Sequence, residues 1–246
     1  MFLGGNIASP QINYPALSIS LNKYISQTGI CSRREADKWI DAGRVMINDQ
    51  PAQKGNRVEE GDVVTIDGEP LEAKPASVYL AFHKPIGVTS TTDQRDPDNI
   101  IDYLKYPQRI FPVGRLDKGS SGLILMTNDG DIVNHILREE GQHEKEYVVK
   151  VNKPITKKFV KRMEGGLPIL GTKTKKCKVQ PIGTQVFKIV LTQGLNRQIR
   201  RMSEFLGYKV HSIKRLRVMN IELGTLQPGE IRELSPEELQ ELQARL

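Results

Sequence analysis

The chain has 246 residues, 38% of them hydrophobic and 26% charged, with a formal net charge of +7. That composition is ordinary for a globular protein with a proper core, and no apolar run approaches the roughly 20 residues that span a bilayer, so no membrane partner is expected. The four histidines show no metal-ligand spacing, and neither a GxxxxGK[ST] loop nor a strand–GxGxxG–helix fingerprint is present, so no metal and no cofactor is expected.

Residues 1–19 are rich in Gly, Asn, Pro and Ser and read as a flexible N-terminal arm; they have neither the basic start nor the sustained apolar centre of a signal peptide. Cys31 and Cys177, without a C-x-x-C pair, read as reduced thiols, and the expected location is cytoplasmic. Residues 20–68 open with a helical pattern over Leu21–Thr28, stopped by Gly29. A second helix starts at the capping box Ser32-Arg33-Arg34-Glu35, with Ala36, Trp39 and Ile40 on its apolar face and Gly43 as its stop. Short strands follow at Val45–Asn48 and Val63–Ile66. This order of segments (L-N-K-Y-I, S-R-R-E-A-D, G-R-V-x-I-N, G-D-V-V-x-I-D-G) resembles the S4 RNA-binding domain. The resemblance implies that the second helix and the strand after it face RNA, with Lys23, Arg33, Arg34 and Arg44 as contacts.

Residues 69–76 contain Pro70 and Pro75 and read as a linker. Beyond it, apolar patterning predicts strands at Val78–His83, Ile110–Val113, Leu123–Thr127, Tyr147–Val151, Lys178–Val179, Val186–Leu191 and Arg217–Leu223. Helices are predicted at Ile132–Arg138, at Lys157–Met163 behind a Thr156 cap, at Arg197–Leu206 and at Pro236–Ala244 behind Ser235 and Glu238. Strands that follow strands without βαβ alternation argue for an α+β protein with a mostly antiparallel sheet.

Charge is segregated. Residues 145–178 carry eleven Lys/Arg against two acids, and residues 197–217 carry seven against one, whereas residues 19–68 are nearly balanced. Two segments that together hold more positive charge than the whole chain make an electrostatic footprint for a polyanion. The last residues, 218–246, carry two basic and six acidic side chains and are not expected to touch RNA.

The chemistry-bearing stretch is Gly114-Arg115-Leu116-Asp117-Lys118-Gly119-Ser120-Ser121-Gly122, which leads into the apolar run Leu123–Met126. It sets a single carboxylate in a glycine-punctuated turn at the lip of a buried strand, a placement that suits a nucleophile or base. Together with His83-Lys84-Pro85-Ile86-Gly87-Val88, Glu144-Lys145-Glu146-Tyr147 and Gly194-Leu195-Asn196-Arg197-Gln198-Ile199-Arg200-Arg201-Met202, all behind an S4-like module, it resembles the RsuA-type rRNA pseudouridine synthases. The runs Thr174–Lys178 and Gln193–Met202 look most like the members that act on large-subunit rRNA.

The resemblance implies a mixed, mostly antiparallel-sheet pseudouridine synthase catalytic domain with flanking helices over residues 77–246, following the small S4-type α/β domain. It implies isomerisation of a uridine already inside RNA, without a cofactor. Asp117 matches the family's essential aspartate and Arg200 the arginine that pairs with it. Tyr147 matches the tyrosine that packs on the target base, Arg115 the arginine before the aspartate, and Ile213 an aliphatic wall of the pocket. Lys84, Arg197 and Arg201 are expected to contact RNA, and Asn196 to cap the helix. The expected partner is large-subunit rRNA, with tRNA open as a second substrate, no DNA, and a monomeric chain. The alternative from another class is a noncatalytic S4-type ribosome-assembly factor.

Overall fold

The computed structural model describes residues 18–137 and 141–246. Most of the N-terminal arm, residues 1–17, and Arg138 at the end of one predicted helix lie outside the described residues. The chain divides into two compact units between Pro75 and Ala76.

The first unit runs β1 (Ile19–Ser20), α1 (Leu21–Gln27), α2 (Arg33–Asp41), β2 (Val45–Ile47), β3 (Gln50–Pro51), β4 (Arg57–Val58), β5 (Val64–Ile66) and β6 (Glu69–Pro70). The hydroxyl of Ser32 accepts the Glu35 N–H at 3.1 Å and starts α2, while the Glu35 carboxylate pairs with Lys38. Leu21 and Ile25 of α1 and Ala36 and Ile40 of α2 are buried against Val45, Val58 and Val64. The strands make an antiparallel sheet in the order β3-β2-β5-β6, with β1 paired to β4.

The second unit contains β7 (Tyr79–Lys84), α3 (Ile100–Leu104), β8 (Phe111–Val113), β9 (Ser121–Thr127), α4 (Gly130–Leu137), β10 (Lys145–Val151), α5 (Lys157–Glu164), β11 (Pro168–Ile169) and β12 (Thr172–Lys173). It continues with β13 (Lys178–Gly183), β14 (Val186–Leu191), α6 (Gln198–Phe205), β15 (Val210–Val218), β16 (Ile221–Glu222), β17 (Ile231–Glu233) and α7 (Pro236–Ala244). Its large sheet has the order β13-β14-β10-β15-β9-β7-β17, with β16 on β15 and β8 on β9. Every pairing is antiparallel except β15 with β9. The α+β reading, mostly antiparallel, is therefore observed.

Two halves of this sheet have separate cores. Around β10, β14 and β15, Val149, Phe187 and Ile189 pack on Phe159 and Met163 of α5 and Met202 of α6. Around β9 and β7, one face packs on Ile132 and Ile136 of α4 and Leu242 of α7, the other on Ile100 of α3. β9 is buried on both faces, which is why its sequence is a continuous apolar run rather than an alternating one.

Local rules account for several ends. Thr156 accepts the Phe159 N–H at 3.1 Å, and Ser235 with Glu238 closes a full capping box. Three readings change. The segment Arg217–Leu223 is no single strand: β15 ends at Val218, Met219 turns at φ 53°, and β16 returns as a hairpin. β15 itself reads in sequence as a basic segment, because His211, Lys214, Arg215 and Arg217 obscure its alternation. β13 extends through Pro181, which an edge strand tolerates.

The two halves meet at one short seam, where Lys214 pairs with Ser121 and Arg215 with Gly122. Gly122 has φ +111°, and a Cβ there would lie 2.2 Å from the Arg215 carbonyl oxygen. Gly122→Ala is expected to destabilise the second unit by about 2 kcal/mol or more, because neither the backbone angle nor the neighbouring main chain has room to adjust. Chemical denaturation checks this, and a wild-type midpoint would show that the seam can open without cost.

Candidate active site

Asp117 sits in the turn that precedes β9. The turn is closed by the Ser120 N–H donating to the Asp117 carbonyl at 2.9 Å. Its carboxylate is about one-third exposed and lies 3.8 Å from Nε of Arg200, which is 14% exposed. Arg200 comes from α6, on the other half of the sheet. Its remaining nitrogens donate to Gly119 O at 3.1 Å, to Ser120 Oγ at 3.5 Å and to Val210 O at 3.3 Å. The guanidinium is thus fixed from four directions, and the ion pair joins two parts of the sheet.

Asp117 and Arg200 open onto a cleft of about 120 Å³, also lined by Arg115, Tyr147, Arg197 and Ile213. Tyr147 is on β10, paired with Arg215 and Ile189 of the flanking strands, and is half-buried. Ile213, on β15, is 6% exposed and forms an apolar wall. Arg115 and Arg197 are exposed at the mouth. Six residues singled out from sequence thus converge, although they lie on segments up to about a hundred positions apart.

The helix start departs from expectation. The N-cap position belongs to Arg197, in a left-handed conformation with φ 50°, and not to Asn196. Asn196 instead accepts from the Arg201 guanidinium, through its carbonyl at 3.1 Å and its side chain at 3.2 Å. Gln198 holds the loop by accepting the Leu195 N–H at 3.0 Å. The left-handed residue turns the chain too sharply for Asn196 to reach the first helical amides. Arg201 is engaged with this loop and does not line the cleft.

Lys84 also departs from its expected place on the RNA face. It is fully buried, and Nζ donates to the carbonyls of Pro85 at 2.8 Å and Val88 at 2.7 Å. Burial pushes its pKa down to about 8, partly offset by Asp117 and reinforced by Arg215. Arg215 is 3% exposed; its Nε donates to Leu123 O at 2.6 Å, and its Nη2 has no partner among the described residues. A lysine sealed in this way supports the main chain and cannot reach a phosphate.

In the first unit, Arg33 and Arg34 are exposed at the start of α2 and Lys23 lies half-buried on α1. Arg44 lies 5.0 Å from the Trp39 ring centroid and donates to Asp67 through Nε at 3.0 Å, so its charge is partly spent within the unit. Sequence reasoning gave no role to Ser90, Gln193 or Gln198: Ser90 and Gln193 make non-local contacts with main chain, and Gln198, although within a quoted motif, braces the loop three residues before it.

Residues 78–205 match the family described as RNA pseudouridylate synthase, and residues 20–64 match the S4 domain. The chain is 52% identical over 230 residues to the dual-specificity RNA pseudouridine synthase RluF of Escherichia coli strain K12, covering 93% of this chain and 79% of that protein. It is 34% identical over 233 residues to ribosomal large subunit pseudouridine synthase B of Bacillus subtilis, covering 91% of this chain and 95% of that protein. A crystal structure of a pseudouridylate synthase superposes with a TM-score of 0.67 at 26% identity, covering 91% of this chain and 99% of that one.

The buried lysine gives a pH signature. A lysine with a folded-state value of about 8 holds fewer protons when folded than when unfolded, up to its ordinary 10.5, so its contribution to stability rises as pH climbs through that window. The neutral amine still has two N–H groups for the two carbonyls it serves. Relative to Lys84→Met, the wild type is expected to gain about 1–3 kcal/mol between about pH 7.5 and pH 10 in urea denaturation. Parallel pH curves for the two proteins would mean that the ammonium is not desolvated.

Proposed function

Because the chain belongs to the RNA pseudouridylate synthase family, with an S4 domain ahead of the synthase domain, we propose that Asp117 is the catalytic carboxylate of a uridine isomerisation carried out in the cleft it shares with Arg200. The enzyme is an RNA pseudouridine synthase acting on rRNA. The similarity to RluF and to the large-subunit synthase of Bacillus subtilis favours large-subunit rRNA as its substrate. The printed dual specificity of RluF keeps tRNA as a second substrate to test.

The observation that carries the assignment is the Asp117–Arg200 ion pair at the bottom of a cleft walled by Tyr147 and Ile213. In the reaction the ribose C1′–N1 bond breaks, the uracil rotates, a C1′–C5 bond forms, the C5 proton leaves and N1 takes up a proton, so no atom is gained or lost overall. Whether Asp117 attacks the sugar or takes its 2′ proton, it must act as the carboxylate. Arg200 gives that carboxylate a charge partner and, through its three other acceptors, a fixed direction. The Tyr147 ring offers a stacking surface for the base, and its hydroxyl a group able to handle a proton near C5.

A uridine within folded RNA must first leave its stack, at a cost of about a few kcal/mol. Contacts to phosphates flanking the extruded nucleotide offset that cost, and Arg115 and Arg197 stand at the mouth of the cleft for that purpose. In the S4 domain, Arg33, Arg34 and Lys23, with Arg44 in a secondary part, supply sequence-independent attraction.

Two measurements test this reading. Tritium release from [5-³H]uridine-labelled large-subunit rRNA is expected with the wild type and absent with Asp117→Asn, while both bind RNA equally. Release by the variant would remove Asp117 from the chemistry. Binding that neutralises some six to ten phosphates is expected to weaken about 10³–10⁵-fold between 50 and 200 mM salt. A flat salt response would refute the electrostatic footprint.

A further inference from the structure

The loop after β7, residues 85–90, meets the Asp117 turn at points on both sides of the aspartate. On the far side, the Gly87 N–H donates to the Lys118 carbonyl at 2.9 Å. On the near side, the hydroxyl of Ser90 donates to the Leu116 carbonyl at 2.9 Å and accepts the Leu116 N–H at 3.1 Å. Ser90 is 3% exposed and Leu116 8%, so water does not compete for these bonds. The loop is itself held from below by the buried Lys84 ammonium, which takes the carbonyls of Pro85 and Val88.

One hydroxyl that both donates to and accepts from the same residue fixes the two peptide planes flanking that residue's Cα. For Leu116, the second of those planes is the one that enters Asp117. The direction in which the Asp117 side chain leaves the main chain is therefore set by Ser90, just as its far end is set by Arg200. We propose that Ser90 is a positioning residue for the isomerisation, acting through Leu116 to hold the Asp117 carboxylate at the geometry the reaction needs. This rests on the reading of Asp117 as the catalytic group.

Catalysis is sensitive to placement: a shift of about 1 Å in a reacting group can cost about a hundredfold in rate while leaving remote binding contacts intact. Ser90 lies outside the cleft lining, so its loss should spare RNA affinity. The test uses the full chain under single-turnover conditions on labelled rRNA, with Ser90→Ala, Ser90→Cys and Asp117→Asn beside the wild type, and with RNA affinity and thermal unfolding measured for each. Ser90→Ala is expected to lose about a hundredfold in rate with RNA affinity within about twofold of wild type. Ser90→Cys, close to serine in size but a weak hydrogen-bonding group, guards against a variant that fails to fold; it is expected to lose at least about tenfold in rate with affinity unchanged.

A wild-type rate in either folded serine variant, with Asp117→Asn inactive, would overturn the inference and leave the role of Asp117 standing. A matched loss of rate and affinity would overturn it as well, since that is the mark of general disruption. Activity in Asp117→Asn would instead bring down the reading on which the inference rests.

Discussion

The cleft depends on a seam only two residue pairs long. Tyr147, Ile213 and Arg200 belong to the half of the sheet built on the core of Val149, Phe187 and Met202. Asp117 belongs to the other half, at the entry to β9. The halves join where β15 runs parallel to β9, and Gly122 lets the Arg215 main chain approach to a distance that no side chain at that position would permit. Two arginines reinforce the join from opposite elements: Arg215 reaches from β15 to Leu123 O, and Arg200 reaches from α6 to Gly119 and Ser120. The separation of Asp117 and Arg200 is thus a consequence of sheet assembly, not of either loop alone.

Positive charge in the second unit divides by what each residue faces. Arg217 donates to Glu144 at 2.9 Å, with Glu146 at 3.6 Å, while Lys188 and Lys178 pair with Glu146 and Glu144. Those cations are largely balanced within the sheet, and being partly exposed each pair contributes little to stability. Lys84 and Arg215 are buried and serve main-chain carbonyls. Arg115 and Arg197, in contrast, stand exposed at the cleft mouth. A net count of positive charge therefore overstates the surface offered to RNA, because these paired and buried cations are already engaged within the unit.

What could be read from sequence follows from how local each signal is. Asp117 is marked by its own glycines and by the apolar strand after it, and Thr156, Ser235 and Glu238 announce helix starts within a few residues. Motif resemblance gathered Arg115, Tyr147, Arg200 and Ile213 because each sits in its own short pattern. Lys84 was misread because a lysine beside Pro and Gly looks like an exposed turn cation, and only the packing of β7 shows that it is enclosed. Asn196 was misread because its cap depends on Arg197 adopting a left-handed angle. β15 was hidden because its basic residues mask an alternation that only its neighbours, β10 and β9, make sense of. Ser90 gave no signal at all, since its partner is 26 residues away.

The two supports of Asp117 differ in kind, and the difference has a physical reason. Arg200 acts at the end of the side chain, through charge, in a cleft that must admit solvent and substrate, so its hold is softened by water and by the 3.8 Å separation. Ser90 acts on the main chain, through neutral hydrogen bonds in a dry place, where an unmade bond is costly and an intact one is stiff. A carboxylate that acts on the ribose in the way proposed for Asp117, by attack or by proton removal, needs a root that does not move and a tip that can still respond to the arriving nucleotide. Main-chain anchoring below and a partly hydrated ion pair above supply those two properties separately, which neither interaction could do alone.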